Sequence, residues 1–117
     1  MKKDNGFIFV FGSNLSGIHG AGAALHALRI HGAIRGVGES LQGQSYALPT
    51  KGLSITFMPL SHVKIRVDTF LDMARDNPDL KFWVTQVGCG LAGFKAKEIA
   101  PLFINAPENC WFDTDWS

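Results

Sequence analysis

The chain has 117 residues, 46% of them hydrophobic and 18% charged, with a formal net charge of +1. That length and balance describe one domain, residues 1–117, with a single proper core, and exclude a disordered chain. With no Lys/Arg run beyond Lys2-Lys3, a duplex nucleic-acid partner is not expected, and no apolar run is long enough to span a membrane. Asp4, Asn5 and Gly6 interrupt the N-terminal lysines and no cleavage pattern follows, so no secretory signal is expected. Cys89 and Cys110 are far apart and lack Cys or His neighbours at metal-ligand spacing. The expectation is two reduced cysteines in a cytoplasmic protein, with no metal and no cofactor; a disulfide is the alternative.

In chain order, the apolar run from Phe7 to Phe11 predicts a buried strand over 7–12, and a glycine-rich loop over 13–19 leads into a helix over about 20–31. Ala24, Ala27, Leu28 and His31 recur at three- and four-residue spacings, so one side of that helix suits close packing on a sheet. A glycine- and glutamine-rich loop follows over 36–44. Residues 45–49 predict a short strand running into Thr50-Lys51-Gly52, with residues 54–58 continuing it or pairing with it. Ser61 is the expected N-cap of the next helix, whose apolar stripe is Val63, Val67, Phe70, Leu71 and Ala74, and Asn77-Pro78 stops it. Residues 80–87 then predict a buried strand, 95–104 a final helix, and Cys110-Trp-Phe a last short strand. Alternation of this kind predicts an α/β fold with a mainly parallel or mixed sheet, whose ligands sit at the carboxyl ends of the strands.

Both glycine turns belong at those strand ends. Gly17, Gly20 and Gly22 precede a helix, an arrangement that offers backbone N–H groups to a phosphate, although each glycine by itself is equally well a turn residue. The segment Val87-Gly-Cys-Gly-Leu-Ala-Gly-Phe94 repeats the arrangement after another apolar strand. Neither is a dinucleotide fingerprint or a Walker loop: Leu25 stands where a third small residue is needed, and no Gly-Lys-Ser/Thr occurs.

Asn14, at the end of the first strand, can cap a turn or offer its amide to a ribose hydroxyl. Lys51 is either a solvated surface charge or a charge partner for phosphate and a catalytic amine. His19 lies inside the first glycine loop, where it can touch phosphate or move a proton, or simply be an exposed loop residue. Cys89 is either a low-pKa thiol near a helix N-terminus or a small buried residue. Trp111, Phe112, Trp116 or Tyr46 can pack in the core or stack on a base.

The stretches His19-Gly-Ala-Gly-Ala-Ala-Leu25, Tyr46-Ala-Leu-Pro-Thr-Lys51 and Val87-Gly-Cys-Gly-Leu91 resemble, in the same order, those of macrodomains, the α/β modules that bind ADP-ribose. The likeness covers most of the chain and is closest to the branch that removes ADP-ribose through a lysine; similar small proteins occur in bacteria and their viruses (phages). It implies a three-layer fold, a central mixed sheet flanked by helices. By that similarity Gly20, Ala21 and Gly22 hold the pyrophosphate from one side. Gly88, Cys89, Gly90, Leu91, Ala92, Gly93 and Phe94 wrap the other phosphate and the distal ribose, and Asn14 lies near that ribose. Lys51 matches the attacking lysine, with His19 a weaker catalytic candidate. One departure stands out. The branch carries an acid directly after Gly-Cys-Gly-Leu, and here that position is Ala92. Glu98 and Asp113 are the nearest carboxylates in sequence. The expected partner is therefore an ADP-ribose-like nucleotide or an ADP-ribosylated macromolecule, either hydrolysed or, as Ala92 favours, only bound. An interaction protein on a degenerate version of the fold is the third expectation.

Overall fold

The computed structural model describes residues 6–90 and 92–112. Five strands form one mixed sheet there: β1 (Phe7–Asn14), β2 (Ser40–Gln42), β3 (Ser45–Lys51), β4 (Lys81–Val84) and β5 (Cys110–Phe112). Their spatial order is β2-β3-β1-β4-β5; only β2 runs antiparallel to its neighbour. Helix α1 (Gly22–Ile30) follows β1, α2 (Leu60–Asp76) follows β3, and α3 (Ala96–Ile99) follows β4.

The aromatic run of β1 takes its place in the middle of the sheet because both of its faces are covered. Ile8 and Val10 point into the larger core, with Leu48, Phe82 and Val84 from the flanking strands and Val63, Val67, Phe70, Leu71 and Ala74 from α2. Phe11 points the other way, into a smaller core with Ala27, Ala33 and Ala47, and Phe9 packs beside it. Two cores on opposite faces of one sheet make the three-layer α/β arrangement. The small side chains of α1 let it lie close on its face, and the same helix brings His31 down onto Phe9, ring centroids 4.4 Å apart.

Several boundaries differ from the sequence expectations for identifiable reasons. The loop over 36–44 contains β2, whose three residues include two exposed ones and carry no periodic signal. Helix α2 begins at Leu60 after Pro59, with no side-chain cap, so Ser61 lies inside it. β4 ends at Val84 because Thr85 turns in, its Oγ1 donating to Val10 O at 2.7 Å. The final helix breaks after Ile99 into a tighter 3-10 turn, Ala100–Phe103; Pro101 lacks the N–H that an α-helix needs there. Residues 54–58 are not a strand. They enter a 3-10 turn, Leu53–Ile55, and return by a single bridge between Lys51 and Phe57. Tyr46 is buried against Phe70, which removes it as a base-stacking candidate.

The chain leaves β1 toward β3 by way of α1 on one face, and leaves β4 toward β5 by way of α3 on the other. The carboxyl ends of β1, β3 and β4 therefore open onto a common crevice, the place where such sheets bind ligands. No helix among the described residues is long and apolar enough to cross a membrane.

Candidate ligand-binding cleft

That crevice is a cleft of about 580 Å³. Gly12, Ser13 and Asn14 form its floor at the end of β1, Thr50 and Lys51 enter from β3, and Gln86, Val87 and Gly88 enter after β4. Gly20, Ala21, Gly22, Ala23 and Ala24 make one wall, and Gly90 and Ala92 face it. Both glycine turns thus meet in one cavity, joined by Lys51. Among the described residues lining it there is no carboxylate, and Lys51 is the charged side chain.

The wall made by α1 is a helix N-terminus with no side-chain cap and no acidic residue in its first turn. The first N–H groups of such a helix have no partner inside it, and the helix dipole makes that end attractive to anions. Gly22, at φ +56°, sits in a conformation that favours glycine. Gly20 and Gly90 are different: a Cβ built on either meets nothing within 4 Å, and neither has a positive φ. Among the described residues nothing calls for glycine at these two positions. A side chain there would instead occupy space at the cleft wall.

The first glycine loop is held from below. Asn14 Nδ2 donates to Ile18 O at 2.8 Å, and Ile18 N–H donates to Asn14 Oδ1 at 3.0 Å. Its amide is thus occupied as a turn clamp while the residue still lines the cleft, so the turn-capping role is the one formed. Ile18, whose backbone the clamp holds, is 44% exposed and contributes an apolar side chain to the wall.

His19 is neither at the cleft wall nor exposed. Its ring is fully buried, edge-on to Phe11, and Nε2 lies 3.1 Å from Ile34 O and 3.2 Å from Val37 O. Two carbonyl acceptors require a hydrogen on Nε2, so the ring acts as a strut between the glycine loop and residues 34–37. That corrects the expectation of a catalytic or phosphate-contacting histidine: burial and two backbone carbonyls hold it away from any ligand.

Of its two readings, Cys89 takes that of a small residue packed on the core, and it lies off the cleft lining. Its thiol contacts Val87 O at 3.6 Å and packs against the larger core, and burial, then Glu98, push its pKa up rather than down. It is not an activated thiol. Gly93 and Phe94 lie off the cleft lining. Gly93 N–H and Phe94 N–H close the second turn onto Gly90 O and Gly88 O, and the Phe94 ring rests on the core and beside Phe57. Leu91 and Asp113 lie outside the described residues. Glu98 accepts the Lys95 N–H at 2.8 Å at the start of α3, which commits it to that helix.

Sequence reasoning missed Ile18, Ile55, Thr50 and Gln86 as cleft residues, because nothing in their type or spacing announces a site. It also missed the buttress. Gly38 passes so close to β1 that an added Cβ would lie 2.0 Å from Asn14 O, and Ser13 Oγ donates to Gly38 O. Gln42, buried, accepts the Ile34 N–H at 2.6 Å and donates to Val37 O at 3.2 Å. The glycine- and glutamine-rich loop is thus the support of the cleft's first wall.

The fold and the cleft together define a class, a mixed-sheet α/β domain with a glycine-walled crevice at its strand ends that no carboxylate lines among the described residues. No protein-family model matches the chain, and no curated protein matches it significantly.

Proposed function

We propose that the cleft binds an ADP-ribose-like nucleotide, its pyrophosphate lying against the α1 N-terminus and the second glycine turn. The observation that carries this reading is the meeting, in one cavity, of an uncapped helix N-terminus, of glycines whose added Cβ would meet nothing, and of Lys51, with no carboxylate among the described lining residues. A pyrophosphate, with one negative charge on each phosphate, suits such a wall. The ordered macrodomain-like stretches point to the same ligand class.

Binding without turnover is the favoured form of this reading. Lysine attack at an anomeric carbon needs a group to assist proton transfer, and Ala92 stands in the lining where the resembling branch has an acid. Hydrolysis through Lys51 is the second reading, favoured by that lysine's position in the cleft. Calorimetric titration with ADP-ribose, AMP and NAD tests the first: tighter binding of ADP-ribose than of AMP is expected. No heat from any of the three would overturn it. Recovery of ADP-ribosyl conjugates unchanged after long incubation separates binding from hydrolysis.

A further inference from the structure

The turn that follows Lys51 holds two adjacent non-glycine residues in the left-handed region, Ser54 at φ +53° and Ile55 at φ +58°. For isoleucine, branched at Cβ, that conformation is a genuine outlier. Such strain persists only where the surroundings impose it. Here they do. Ser54 N–H donates to Ser16 Oγ at 2.8 Å, Gly52 N–H donates to Thr56 O at 2.8 Å, and Thr56 Oγ1 donates to Leu53 O at 2.8 Å. The Lys51–Phe57 bridge closes the base of the turn, and Phe57 leans toward Phe94, ring centroids 6.2 Å apart.

The strain does not serve the core. Leu53 and Phe57 are 66% and 71% exposed, and Ile55 is 37% exposed while lining the cleft. Folding therefore gains little apolar burial from holding Ile55 there. Ile18 is likewise apolar, exposed, in the lining and fixed by a polar clamp, that of Asn14. Two isoleucines are thus held into a cavity whose remaining lining is chiefly backbone and small side chains.

We propose that Ile55, with Ile18, is the specificity wall of the cleft, positioned to pack on the ring-bearing part of a nucleotide whose phosphates lie at the α1 N-terminus. The inference rests on the nucleotide reading above and adds to it the group that selects a nucleotide over a bare phosphate. Covering an isoleucine with a ring supplies the apolar burial that folding leaves unrealised.

The test compares ADP-ribose with inorganic pyrophosphate in the unsubstituted protein, Ile55→Asn and Ile55→Gly. Asparagine tolerates the left-handed region and removes the apolar wall, and glycine removes wall and strain together. Both variants are expected to melt about 2–5 °C higher without ligand, because strain is relieved. Both are expected to lower the ratio of ADP-ribose to pyrophosphate affinity about tenfold. An unchanged ratio, in a protein that prefers ADP-ribose to pyrophosphate, overturns the wall and leaves the nucleotide reading standing. An unsubstituted protein that binds ADP-ribose no better than pyrophosphate overturns both.

Discussion

Asn14 and Ile18 are joined by a reciprocal pair of hydrogen bonds, 2.8 and 3.0 Å, between one side-chain amide and one residue's backbone N–H and C=O. That pair sets the first bend of the glycine loop and brings Ile18 to the cleft. It also explains why an amide is needed: the side chain must donate and accept at once.

Asn14→Asp should keep the bond from Ile18 N–H and set a carboxylate oxygen against Ile18 O. Asn14→Ala should lose both bonds. We expect losses of about 1–2 kcal/mol in each case, and faster amide exchange over residues 15–20. Urea melts and hydrogen exchange check this; an unchanged exchange pattern would show that the loop does not depend on the clamp.

His19→Ala should act on stability and not on chemistry. It takes one donor each from Ile34 O and Val37 O, which keep Val37 N–H and Gln42 Nε2 respectively, and opens a cavity beside Phe11, for a loss of about 2–4 kcal/mol. Ligand affinity measured well below the melting temperature should fall far less than it does on substitution of a cleft residue. A stable His19→Ala protein with affinity abolished would restore this histidine to the site.

Gly20→Glu tests the anion wall cleanly, since neither sterics nor φ resists a side chain at that position. The melting temperature should stay within about 2 °C of the parent, and nucleotide binding should be lost because a carboxylate stands where a phosphate would lie. Lys51→Ala should weaken binding about tenfold at low salt, with the difference narrowing as salt rises. Calorimetry at two salt concentrations reads both. Binding by Gly20→Glu at parental strength would place the ligand elsewhere.

Alkaline stability should fall in two overlapping steps. Burial pushes Cys110 to about 11 and Tyr46 to about 12, with Glu39 adding to the Tyr46 rise. Above the ordinary values of 9.0 and 10.0, the unfolded chain loses these protons while the folded chain keeps them, so stability drops as pH rises. Each group contributes at most about 1.4 kcal/mol per pH unit, from pH 9 to 11 for the thiol and 10 to 12 for the phenol. Tyr46→Phe, which keeps the ring on Phe70, should flatten the second step in urea melts taken between pH 8 and 12.

Much of this molecule is written in short-range pattern. The run from Phe7 to Phe11 reads as a buried strand, and the spacing of Val63, Val67, Phe70, Leu71 and Ala74 as one face of a helix, and both form. With strands and helices alternating, the α/β class and the position of both glycine turns at strand ends followed. These are properties of neighbouring residues and of backbone periodicity, so they survive without knowledge of distant contacts. What lines the cleft is another matter. His19 was taken into the interior by carbonyls 15 and 18 residues away, and Ile55 was forced into the cleft by a serine 38 residues before Ser54. The direction of a loop side chain is set by which distant backbone groups need a partner, and no local periodicity encodes that.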